Sequence, residues 1–264
     1  MGRTQQLSRW LLSKASVIWR KLRSLFPASH YVLLALIYVV GLELLFALQR
    51  WVFLVVIAVI TVVTIGVVLV SYEEKGRFSL SNILLPILAT IGLTGFAFFL
   101  PTSIVLHLYI ATAGFVLFFL LKHGARKAYP IWNWLISLLI FFLNIAFVTG
   151  LRFHLYTPII AILFAIFLIS ALISWQSLRR IASGSEIVVP VLMMAFALTE
   201  IAWTLQFMPS HYLLQAGILT SIYYIMFNLV GVSLKRKPLK QDIYEYLSVG
   251  LVGIIILLIT ARWV

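Results

Sequence analysis

The chain has 264 residues, of which 63% are hydrophobic and 10% charged, with a mean hydropathy of +1.12. Soluble domains carry about 45–50% apolar and about 25% charged residues, so this composition excludes a water-soluble globular protein. The absence of cysteine excludes disulfides, thiolate catalysis and cysteine-based metal sites. The net charge of +13 sits between apolar runs, where it sets topology and contacts anionic lipid rather than nucleic acid.

In chain order, residues 5–26 read as an amphipathic helix. Leu7, Leu11, Ile18, Leu22 and Leu25 share one face, and Arg9, Ser13, Ser16, Arg20 and Arg23 the opposite one. Such a helix lies in the cytoplasmic leaflet with Lys14 and Lys21 snorkelling at its flanks. Residues 1–29 are therefore expected to be a basic interfacial anchor. No signal peptide is expected, because the first apolar run starts near Tyr31 without a small-residue cleavage site after it. Residues 30–264 are expected to form one all-α transmembrane domain.

Nine apolar segments follow, at about 30–48, 52–70, 81–100, 102–121, 129–149, 158–175, 187–207, 210–231 and 243–262. Segment 52–70 is rich in β-branched residues, yet a lone strand could not satisfy its backbone in lipid, so it too reads as a helix. With the N-terminus inside, seventeen of the 20 Lys and Arg fall on the cytoplasmic side. The outer side has only Arg50, Arg152 and Arg262. One span more or fewer would invert every later loop and spoil that bias, which predicts nine spans with the C-terminus outside. All eight tryptophans fall near predicted membrane boundaries or before the first span, where an indole keeps its ring in lipid and its N–H in water. The strings Phe99-Leu100-Pro101-Thr102 and Phe207-Met208-Pro209-Ser210 both join two spans at the outer side, a faint parallel repeat.

Ionisable and strongly polar groups within spans are costly, so they are the default functional candidates. Four qualify: Glu43, His107, Asn144 and Glu200. Counted from the nearest outer end, each is expected roughly 8–11 Å below the outer interface. His107 aligns with Ser103, Ala111 and Gly114, and Glu200 with Met193, Ala197 and Thr204; small residues on both stripes point them into the bundle. The expectation is an outward-facing polar pocket for a small or amphiphilic molecule. Glu43 and Glu200 would be its anionic or protonatable ligands, His107 a donor or proton acceptor and Asn144 an orienting amide. Arg50, Arg152 and Gln215, with His154, Gln206 and His211, would form the rim. The alternatives are an enzyme on outer-leaflet lipid or lipid-linked glycan, with Glu200 or His107 as general base, and a non-catalytic assembly subunit. The same polar residues also have a purely structural reading, fixing helix packing.

Other chemistry finds little support. Glu73-Glu74-Lys75-Gly76-Arg77 with Phe119-x-x-x-His123 is similar to the EExxxR and FxxxH motifs of intramembrane CAAX-type proteases. The first is one residue short and a further histidine motif is missing, so both read as loop sequence. No cofactor or metal site is expected, and the partners expected are the bilayer and anionic headgroups at its cytoplasmic face. The C-terminal third resembles a group of uncharacterised polytopic membrane proteins from reduced-genome candidate-phylum bacteria. The resemblance is carried by Thr199-Glu200-Ile201-Ala202-Trp203, Leu205-Gln206-Phe207-Met208-Pro209, Tyr223-Tyr224, Ile243-Tyr244-Glu245-Tyr246 and Thr260-Ala261-Arg262-Trp263. It implies a bacterial cytoplasmic membrane and no particular activity.

Overall fold

The computed structural model describes residues 30–47, 80–101, 103–124, 130–179, 181–182, 185–235 and 239–261. The expected interfacial helix at 1–29, the segment 52–70 and Arg50 lie outside these residues. The described chain is helical: α1 His30–Ala47, α2 Leu80–Ala97, α3 Ile104–Gly124, α4 Pro130–Leu155, α5 Ile159–Leu178, α6 Val188–Leu205, α7 Tyr212–Lys235 and α8 Lys240–Thr260, with a 3₁₀ turn at Ser185–Ile187 before α6. Six helices are long and apolar enough to cross a membrane, and two shorter apolar stretches fall in α1 and α2. This is the helix inventory of a multi-pass membrane protein.

Two compact units divide the chain. The first contains α1 and the part of α3 from His107 onward. Gly114 of α3 lies against Val39 and the Ala35 carbonyl of α1, so these two helices approach over a small residue. The buried face of the unit is formed by Leu34, Tyr38 and Leu42 on α1 and Ile110, Ala113 and Leu117 on α3.

The second unit holds α2 and α4 to α8. Helix α4 is its centre, packing on α2, α5 and α7; α5 packs on α6, and α8 packs on α7. The α2–α4 contact is close because two glycines of α2 face α4. A Cβ at Gly92 would lie 2.6 Å from Asn144 Nδ2, and one at Gly95 would overlap the Phe147 ring. Tyr223 of α7 stacks on Phe141 of α4, with ring centroids 4.2 Å apart and planes at 9°, in the buried middle of the unit.

Helix α4 runs six residues beyond the expected end at 149. Gly150 does not end it: the residue is buried against Phe99, where a side chain would not fit. The actual stop is Tyr156-Thr157-Pro158. Tyr156 adopts φ 52° and Pro158 is extended at φ −56°, ψ 136°, which reverses the chain into α5. Arg152 and His154 therefore occupy the last turn of α4 rather than a loop. Asn144 correspondingly lies about 16 Å from the helix end, deeper than expected, at 1.5 Å rise per residue.

The two proline junctions share a backbone pattern. Phe98, Phe99 and Leu100 donate to the carbonyls three residues back, and so do Gln206, Phe207 and Met208. Each helix thus tightens into a 3₁₀ turn before a proline that has no N–H to continue it.

Candidate functional site

In the first unit, Glu43 and His107 meet. The His107 Nδ1–H donates to the Glu43 carboxylate, with both oxygens at 3.0 Å. Glu43 lies one turn from the end of α1 and His107 in the first turn of α3, so the residues meet at one end of the α1–α3 pair. The side chains are 39% and 64% exposed respectively, which leaves the imidazole accessible. A carboxylate that accepts the Nδ1–H hydrogen bond fixes the tautomer and leaves Nε2 as the unprotonated nitrogen. Arg50, an expected rim residue near Glu43, is outside the described residues.

In the second unit, the other two candidates separate by environment. Asn144 is fully buried, and its Nδ2 donates to the Leu88 carbonyl of α2 and the Ile140 carbonyl of its own helix, both at 2.8 Å. Its Oδ1 has no partner among the described residues. Its contacts are those of an interhelical clamp. Glu200, by contrast, is exposed on α6, and the stripe expected to carry it inward faces out, with Met193 65% exposed and Thr204 exposed. Small residues on that stripe do not bring a helix against it; α6 packs through Met194, Ala195, Leu198 and Ala202 instead. Among the described residues no hydrogen bond joins Asn144 to Glu200.

A cavity of the second unit lies elsewhere, where the rim was expected. It measures about 740 Å³ and is framed by the end of α4, the start of α5 and the α6–α7 junction. The expected rim residues Arg152, Gln206 and Gln215 line it, together with Thr157, Ser210 and Tyr212, which the sequence did not single out. The glutamines hold each other: Gln206 Nε2 donates to Gln215 Oε1 at 3.2 Å, and Gln215 Nε2 to the Leu205 carbonyl at 3.2 Å. The Thr157 hydroxyl donates to the Leu151 carbonyl at 3.2 Å and caps the end of α4. Arg152 is the cavity's one fixed charge among its lining residues, and no carboxylate pairs with it among the described residues.

His154 and His211 flank the cavity in an aromatic cluster. Phe99 stacks on His154 with ring centroids 4.9 Å apart, and Tyr212 lies between the two histidines, 5.5 Å and 4.3 Å from their rings. Burial, and then the neighbouring His154, lowers the His211 pKa below the ordinary histidine value. Its Nδ1 accepts the Leu213 N–H at 3.4 Å, a contact that also requires the unprotonated nitrogen.

The sequence marked the α6–α7 turn through Pro209, but nothing in a linear reading pairs the ends of four helices. No group of three or more His, Asp or Glu that could hold a metal occurs among the described residues. Compared with protein-family models, curated proteins and solved structures, the chain has no match, so no residue role is carried over from a relative.

Proposed function

We propose that this is a nine-span membrane protein, N-terminus in the cytoplasm and C-terminus outside, that binds or transports a small or amphiphilic molecule through the Arg152 cavity on its outer face. The observation that carries the reading is the cavity itself. Its volume lies within the roughly 300–1,000 Å³ span of small-molecule sites, and its hydrogen-bonding side chains converge from two separate helix junctions. The seventeen-to-three division of basic residues supports the orientation. The Glu43–His107 bond supports the span count rather than the orientation: nine spans set both residues at one membrane face, whereas a topology without segment 52–70 would assign them to opposite faces. The bacterial cytoplasmic membrane and the binding of anionic headgroups by the inner basic stretches belong to the same proposal.

The test is native mass spectrometry of the protein released gently from its membrane. A retained molecule should appear on the intact chain and be lost when Gln206→Trp fills the cavity. The same adduct on both proteins, or none on either, would sink the reading.

One observation favours a second reading, an enzyme acting on outer-leaflet lipid. In it the Glu43-oriented His107 serves as general base through its unprotonated Nε2. Turnover of outer-leaflet lipid that His107→Ala abolishes and Gln206→Trp leaves intact would favour this second reading over the first.

A further inference from the structure

Resting on the cavity-binding reading above, we infer that the ligand carries an anionic phosphate group seated on Arg152. A guanidinium is always charged and presents five donors in a planar fork that matches such groups two bonds at a time. Arg152 is half-buried in the cavity wall with no carboxylate partner among the described residues. The negative end of the α4 dipole favours a cation at this turn, yet it does not account for a cation on the wall of a 740 Å³ cavity.

The rest of the lining fits an anionic head with an apolar body. Ser210 and Tyr212 line the cavity from the α6–α7 junction, which the Gln206–Gln215 hydrogen bond holds in place. Phe153 and Met208 add apolar surface beside them. Among the described residues, no acidic side chain lines the cavity to repel an anion.

Because the chain has no cysteine, Thr157→Cys places a unique thiol on the cavity wall. The full chain is reconstituted in phosphatidylcholine nanodiscs, and labelling of that thiol by a soluble maleimide is timed under three additions: phosphatidylglycerol in the disc, millimolar inorganic phosphate, or an uncharged monoacylglycerol. The expected result is that phosphatidylglycerol, phosphate or both slow labelling, while monoacylglycerol does not. Phosphate alone would identify a soluble anion, and phosphatidylglycerol alone a lipid headgroup. Arg152→Gln should cut the protection at least about tenfold, and Arg152→Lys, which keeps the charge but not the fork, should retain part of it.

Equal protection by monoacylglycerol, or full protection in Arg152→Gln, would overturn the anion inference and leave the cavity reading standing. No protection by any of the three would overturn both. If both Arg152 variants lose protection with altered size-exclusion profiles, the three additions to the Thr157→Cys protein alone, where Arg152 is intact, decide the inference.

Discussion

Asn144 shows how far a single polar residue in a span can be read. Its type announced an unusual position, but not whether it met a ligand or a neighbouring backbone. The structure places its amide against the Leu88 carbonyl and within reach of Gly92. Asn144→Ala should therefore cost about 0.6–2 kcal/mol of thermal stability in detergent, the range for interhelical bonds in membranes, and leave ligand protection of the thiol introduced by Thr157→Cys unchanged. Gly92→Ala should cost more, about 1–3 kcal/mol, because its Cβ meets Asn144 Nδ2 at 2.6 Å and the Asn144 backbone nitrogen at 3.1 Å. Combined, the two should cost less than the separate losses added together, since Asn144→Ala removes the first clash and leaves the second. Simple additivity would show that the two residues do not touch.

His211 makes a prediction in pH at the same scale. Its pKa is lowered in the folded protein, so the unfolded chain binds the proton more readily over the interval between the two values. Stability is then fully present above the ordinary histidine pKa of about 6.5 and falls as pH drops through that value toward the folded one. His211→Asn should flatten this acid slope while leaving stability close to the parent at about pH 8, as followed by thermal unfolding from there down to about pH 5. A slope unchanged by the substitution would assign the acid sensitivity elsewhere.

Among the helices, α8 most clearly separates what hydropathy shows from what it hides. In sequence it is one more span, as apolar as its neighbours. In the structure it rests on α7, and Gly250 is its one buried residue. Ile225 of α7 occupies the space a Gly250 side chain would need, and Leu257 reaches back over Gly217. Gly250→Ile should consequently destabilise the α7–α8 pair by about 1–3 kcal/mol, whereas Leu251→Ala on the exposed face should stay within about 0.5 kcal/mol. Equal effects in thermal unfolding would mean that α8 is not seated through Gly250. The long end of α4 was hidden for a related reason. Gly150 is a helix breaker by propensity, but it is tolerated because Phe99, distant in sequence, packs on it. Apolar helices rest on local length, and among the described residues they were legible. Helix faces rest on which helices become neighbours and were not, which is why Glu200 was assigned inward and lies exposed.

At the scale of the whole molecule, charge bias carries the most information, because parity links every loop to every other. The expected rim residues Arg152, Gln206 and Gln215 were grouped on that basis, each in or beside a turn expected on the same side. Their assembly into one cavity depended on the tertiary pairing of α4 with α7 and of α6 with α7, which no loop sequence encodes. The proposed parity has a direct consequence. Alkaline phosphatase fused after Val264 should be active and a fluorescent protein fused there dark, as expected for an outer C-terminus after nine spans. The thiol of the Thr157→Cys protein should react with an impermeant maleimide added to intact cells. The two measurements locate any error. A cytoplasmic C-terminus with an outer thiol would put the miscount at α5 or later and keep the α4–α5 wall of the cavity outside. An inner thiol would put the miscount before α5 and turn the Arg152 cavity to the cytoplasm, so that the ligand it accepts would have to be sought there.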